Sequence, residues 1–165
     1  MRKIILAVAT IFFGTGLVVA QGAVPASVVK ISNAIKLKLS VGVKLKTAYL
    51  FFDGGKRVPE SNMADLNQNV NMMVQIDRGG WVERDGIVSI GASEKIITNT
   101  GNTILNEPDL FATLTDISAD DAQYITLKAV ITSMTKKISY FLVTFTIWDK
   151  WGSGKITGSY KLKIR

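Results

Sequence analysis

A chain of 165 residues with no histidine and no cysteine cannot build a Ser-His-Asp or Cys-His nucleophilic system, a disulfide, or a zinc site of the usual histidine and cysteine type. Its 20 basic residues outnumber 13 acidic ones, and a net charge of +7 favours polyanionic neighbours while also serving solubility. Only carboxylate, lysine, tyrosine or serine-lysine chemistry stays open, so the composition favours a protein that is not an enzyme and carries no cofactor.

Arg2 and Lys3 precede an apolar run from Ile4 to Phe13, and Val18-Val19-Ala20 supplies small residues before a cut. Charged, apolar and small-residue segments in that order are the pattern of a secretory signal peptide over residues 1–20. A spanning anchor needs about 18 apolar residues. Ile4 to Ala20 falls short and is interrupted by Thr10, Gly14, Thr15 and Gly16. The expected destination is the periplasm or the cell surface, with no transmembrane segment left after signal removal. Cleavage after Ala20 leaves 145 residues with 18 basic and 13 acidic side chains, a net charge of +5 and the length of one domain. Residues 21–34 (QGAVPASVVKISNA) read as a leader broken by Pro25, and residues 35–165 as a single domain.

From Ile35 the pattern alternates with period two: Ile35, Leu37, Leu39, Val41, Val43 and Leu45 against Lys36, Lys38, Ser40, Gly42, Lys44 and Lys46. This predicts one strand with a wet basic face and a buried face. The phase breaks at Thr47, as at a bulge or a bend between sheets, before Tyr49-Leu50-Phe51-Phe52. Asp53-Gly54-Gly55-Lys56 is a turn signal, and residues 57–69 a long loop in which Ser61 to Leu66 would form a helical turn. Asn69 to Asp77 alternates again, Arg78-Gly79-Gly80 breaks it, and Asp85-Gly86 opens a short strand over Ile87–Ile90. Glu94–Thr98 and Thr103–Leu105 flank Asn99-Thr100-Gly101-Asn102 as a hairpin.

Ser118, with Asp121 three residues on, predicts a short capped helix over Ser118–Tyr124. Strands follow at Ile125–Ser133 and Ile138–Trp148, the latter apolar on both faces and therefore expected to be central and covered on both sides. After the turn at 149–155 a final strand runs from Ile156 to Arg165. About eight short strands joined by Gly, Asn and Asp turns predict an all-β antiparallel sandwich or small barrel. The Phe- and Trp-rich strand, the WDKWGSGK turn and the Lys-alternating last strand resemble small exported β-sandwich proteins of Gram-negative bacteria over the last third of the chain. That resemblance implies an immunoglobulin-like sandwich of about 7–9 strands and assigns no site residues.

Gly152-Ser153-Gly154-Lys155 lacks the first glycine, the Ser/Thr and the following helix of a phosphate loop, and reads as a hairpin turn. Asp116, Ser118 and Asp120 have the one-apart spacing of calcium-loop ligands, but Asp121 and Leu127 stand where an EF-hand needs glycine and glutamate, which leaves Asp116, Asp120 and Asp121 as candidates for a calcium site of another kind. Helix capping explains them more simply, so no metal site is expected. Glu83 with Asp85, or Glu107 with Asp109, are the carboxylate pairs a glycoside hydrolase could use. Lys36, Lys38, Lys44, Lys46, Lys161, Lys163 and Arg165 would form one basic patch if the first and last strands are neighbours. Trp81 and Trp151 are candidate loop aromatics for a sugar or a partner protein, or else lids over the ends of the core. The leading expectation is a non-enzymatic envelope protein that contacts an envelope protein, a glycan or an anionic lipid surface. Nucleic acid is disfavoured, because no aromatics interleave with the lysines. The alternatives are an eight-stranded outer-membrane β-barrel and a carboxylate-based glycoside hydrolase.

Overall fold

The computed structural model describes residues 29–114 and 116–165. The signal segment, its cleavage site and most of the leader lie outside the described residues. The protein is all-β. Among the described residues there are twelve strands: β1 (Lys30–Ile31), β2 (Lys36–Leu39), β3 (Leu45–Phe52), β4 (Met63–Ala64), β5 (Asn69–Ile76), β6 (Ile87–Val88), β7 (Ile90–Thr98), β8 (Thr103–Glu107), β9 (Ile117–Ser118), β10 (Tyr124–Val130), β11 (Phe141–Asp149) and β12 (Lys155–Ile164).

The first sheet has the order β1-β3-β5-β10, and the second β2-β12-β11-β7-β8 with β4 also paired to β12. All the longer pairings are antiparallel; the two-residue strands β1 and β4 pair in parallel with β3 and β12. Neither sheet closes on itself, so the chain does not form the eight-stranded barrel held as an alternative. Alternate residues of both sheets supply one apolar core: Leu50, Met72, Val74 and Leu127 from the first sheet, and Ile96, Phe141, Val143, Ile147 and Leu162 from the second.

The run from Ile35 to Lys46 is two strands. The chain turns at Ser40-Val41-Gly42, where Val43 N–H donates to Ser40 O at 3.3 Å and Gly42 takes a φ of +95°. That left-handed value is available to glycine at little steric cost, and it leaves Val41 fully exposed. The break sends β2 to the second sheet and β3 to the first, so the lysines of this run divide between them. The phase change at Thr47 is a register shift between Leu45 and Thr47 against β5.

Two helical expectations are corrected. Ser61 to Leu66 contains strand β4, because Met63 and Ala64 pair with Lys163 and Ile164. Ser118 to Tyr124 is a two-residue strand end followed by a three-residue 3-10 turn, Asp121–Gln123. Ser118 still plays its capping part: its Oγ accepts from Asp121 N–H at 3.0 Å and donates to Asp121 Oδ2 at 2.7 Å. Pairing of Ile117 and Ser118 with Val88 and Ile87 takes the first helical residues into a sheet. Strand β11 is central, flanked by β12 and β7, yet Leu142, Thr144, Thr146 and Trp148 on its outer face are only half-buried.

The folded domain begins ahead of residue 35. Asn33 is buried at a φ of +60°, where asparagine is tolerated better than most residues. Its Nδ2 donates to Val58 O and Pro59 O at 3.1 Å, and its Oδ1 accepts from Leu50 N–H at 2.9 Å. Asn62, also buried with positive φ, donates from Nδ2 to Asn33 O at 2.7 Å and to Lys161 O at 2.9 Å. These two asparagines tie the start of the domain to the last strand.

Candidate functional site

The outer face of the second sheet carries the basic surface. Because β2 runs antiparallel to β12, Lys36 stands across from Ser159 and Lys38 across from Thr157. The same rungs continue through Thr144 and Thr146 of β11 to Lys95 and Ser93 of β7. Lys161 and Lys163 follow in phase along β12, and Lys155 precedes them. Six exposed lysines, Lys36, Lys38, Lys95, Lys155, Lys161 and Lys163, thus share one face with serine and threonine hydroxyls between them. The two carboxylates of these four strands, Glu94 and Asp149, are both buried in the opposite direction. Lys161 Nζ lies 4.3 Å from the centre of the Tyr140 ring, a cation–π contact that holds it over the sheet.

Four of the seven basic residues picked from the sequence therefore come together. The other three do not join them. Lys46 forms an ion pair with Asp77 at 3.0 Å at the end of the first sheet, and Lys44 lines the same small cleft beside Asp77 and Arg78. Arg165 is paired with Asp65, its Nε donating to Oδ1 at 2.6 Å, which holds the Asp65 carboxyl below its usual range. Lys95 and Lys155 were not assigned to the basic patch from the sequence. They lie on this face because the cross-strand register is long-range, and periodicity within one strand carries no information about it.

The tryptophans part company. Trp81 is buried and its indole N–H donates to Ala122 O at 3.2 Å, so it closes the core and presents no surface. Trp151 is half-buried on the final hairpin, with the Arg84 guanidinium 4.7 Å from its ring centre. Asp149 shapes that hairpin: its carboxylate accepts from Val82 N–H at 2.6 Å and Trp151 N–H at 2.8 Å.

Asp116, Asp120 and Asp121 do not gather into a metal site, and among the described residues no cluster of three such ligands exists. Asp120 pairs with Arg78 at 3.1 Å, and Asp121 takes the Ser118 hydroxyl. Of the paired carboxylates, Glu83 is engaged by Arg78 at 2.8 Å. Asp109 caps Ala92 and Phe111 N–H groups and sits 3.4 Å from Lys150.

One concavity was not anticipated. It is a groove of about 820 Å³ on the outer face of the first sheet. Its floor is the pair of rungs Tyr49–Met73 and Phe51–Asn71, with Lys128 of β10 beyond Asn71. The turn at Asp53-Gly54-Gly55 closes one end, and the returning segment bridges Arg57 to Phe51, which brings the Arg57 guanidinium 3.0 Å over the Tyr49 ring. Asp53 accepts from Asn69 Nδ2 at 2.5 Å and Asn71 Nδ2 at 2.8 Å, with Lys128 Nζ at 3.8 Å. Those amide hydrogen bonds, Asn69 first and then Asn71, hold the Asp53 carboxyl below its usual range and keep it ionised. A signal was present in the sequence: after the bulge at Thr47, Tyr49 and Phe51 fall out of phase with the buried Ala48 and Leu50 and must point outward.

The two surfaces define an all-β protein with a lysine and hydroxyl face on one sheet and an amphipathic groove on the other. No protein-family model matches the chain, and no curated protein matches it either.

Proposed function

We propose that this is an exported, non-enzymatic binding protein of the cell envelope, an immunoglobulin-like β-sandwich whose basic sheet face holds an anionic surface or polymer. The observation that carries this reading is the convergence of Lys36, Lys38, Lys95, Lys155, Lys161 and Lys163 on one face, to which β2, β12, β11 and β7 contribute no carboxylate. Neighbouring strands lie about 4.8 Å apart, and alternate residues along a strand about 7 Å apart. Such a grid presents ammonium groups and hydroxyl donors at the spacing of repeated anionic groups. The sandwich reading is supported by two open antiparallel sheets around one core and by eight strands of four residues or more. Export is supported by the order of charged, apolar and small residues over 1–20.

The test is retention of the purified protein on envelope fractions as salt rises, beside a variant carrying Lys36→Gln, Lys38→Gln, Lys161→Gln and Lys163→Gln. Exposed charge contacts are screened over a Debye length of about 8 Å at physiological salt. Retention is therefore expected at low salt, to fall steeply toward 0.15 M, and to be lost in the variant. Equal retention of variant and parent would overturn the reading.

A further inference from the structure

The groove on the first sheet combines three chemistries that converge on one class of ligand. Tyr49, Phe51 and Met73 form its floor; Arg57 covers the Tyr49 ring and Phe51 is buried, so half-buried Met73 is the apolar surface open to the C–H face of a sugar ring. At the turn end, Asp53 accepts from the Asn69 and Asn71 side-chain amides, and the side-chain oxygen of Asn71, a residue that lines the groove, accepts no hydrogen bond among the described residues. That end is rich in acceptors, and a carboxylate has about four lone-pair sites, so it favours a ligand with several hydroxyl donors. At the edge stands Arg57. It is exposed, stacked on Tyr49, and has no ion-pair partner among the described residues. Stacking fixes the plane of the guanidinium and leaves its N–H edges for a bidentate carboxylate. With Arg57 and Lys128 against Asp53, the groove carries one net positive charge.

We propose that this groove binds an acidic sugar unit, a uronic acid whose ring lies on Met73 beside the Arg57–Tyr49 stack, whose hydroxyls donate to Asp53 and Asn71, and whose carboxylate is held by Arg57. The site is on the other sheet from the lysine face, and its failure or success is read separately. A neutral sugar would leave Arg57 unused. A simple anion would leave the apolar floor and the acceptor cluster unused.

The experiment is an NMR titration of the purified, isotopically labelled protein with tri-galacturonate, with neutral galactotriose, and with sulfate. Tri-galacturonate is expected to shift the side-chain amides of Asn69 and Asn71 and the backbone amides of Gly54 and Gly55, and galactotriose to bind at least tenfold more weakly. Loss of a charge-assisted bidentate contact is a loss of about ten- to a hundredfold in affinity. Arg57→Gln should show that loss, and Arg57→Lys most of it, because an ammonium cannot present a planar fork. Replacing Lys161 and Lys163 with Gln should leave the affinity read from the Gly54, Gly55 and Asn71 shifts unchanged. Four results would each overturn the proposal: no shift at the groove amides, equal binding of galactotriose, equal competition by sulfate, or full affinity in Arg57→Gln. Loss of the shifts at the groove amides on replacing Lys161 and Lys163 would likewise overturn it and move the sugar to the lysine face.

Discussion

Replacing Glu94 with glutamine should flatten the dependence of stability on pH between about 5 and 8. Glu94 lies in mid-strand of β7, only 2% exposed, across from Phe145 of β11 and Glu107 of β8. Both of its carboxyl oxygens lack hydrogen-bond partners, as does the buried Tyr160 hydroxyl. Burial raises the Glu94 carboxyl from 4.5 to about 8, and raises the Tyr160 hydroxyl well above 10, with Glu94 adding to that second rise. The native state therefore keeps a proton on Glu94 that the unfolded chain releases above pH 4.5. Where the native state binds more protons, stability falls as pH rises. The loss begins near the unfolded value and is complete just above the folded one. A separation of this size corresponds to about 5 kcal/mol in total, at roughly 1.4 kcal/mol per pH unit. The chain has no histidine and no cysteine, so few other side chains titrate in the window. The depressed carboxyls Asp53, Asp65 and Glu83 act below it. Urea unfolding at pH 5, 6, 7 and 8 measures the slope directly. Glu94→Gln should abolish most of it and be the more stable protein at pH 8. Parallel profiles for the two proteins would refute the reasoning and place the titration elsewhere.

Two further substitutions test the packing. Asn33→Ala removes an acceptor from Leu50 N–H and donors to Val58 O and Pro59 O, and should cost about 2–4 kcal/mol in denaturant unfolding through buried groups left unpaired. A cost below about 0.5 kcal/mol would show that water replaces those bonds. Gly91→Ala drives a Cβ into the Trp148 indole, whose Nε1 would lie 2.7 Å away, and should cost about 1–3 kcal/mol by overpacking. Trp148 must move if the strand does not, so a shift in tryptophan fluorescence should accompany the loss.

The retention and titration experiments separate the two surfaces, because one depends on Lys36, Lys38, Lys161 and Lys163 and the other on Arg57 and Asp53. Salt should weaken the first more than the second, since the first rests on exposed charges alone and the second adds apolar contact and hydroxyl bonding.

Strand positions were largely legible in the sequence, because alternation and turn residues are local. Asn69–Ile76, the hairpin around Asn99 to Asn102 and the final strand follow directly from period two and from glycine, asparagine and aspartate at the turns. The turn at Ser40 to Gly42 was hidden for a physical reason: Val41 and Val43 continued the alternation across it, so a chain reversal looked like one long strand. Ser118 to Tyr124 carried a true capping signal, but pairing of Ile117 and Ser118 with β6 outweighed a helix too short to propagate.

Local pattern thus determined the all-β class, most of the turns and the buried phase of several of the longer strands, and composition excluded the chemistry that needs histidine or cysteine. Only the tertiary structure decided which lysines share a face, that Arg165 is neutralised by Asp65, that Trp81 belongs to the core, and that Tyr49, Phe51 and Arg57 meet Asp53 and Lys128 around one groove. Periodicity reports which side of its own strand a residue occupies. Which strand lies beside it is set by pairings between segments up to a hundred or more residues apart, as between Lys38 and Thr157, and those are settled when the sheets close over a common core.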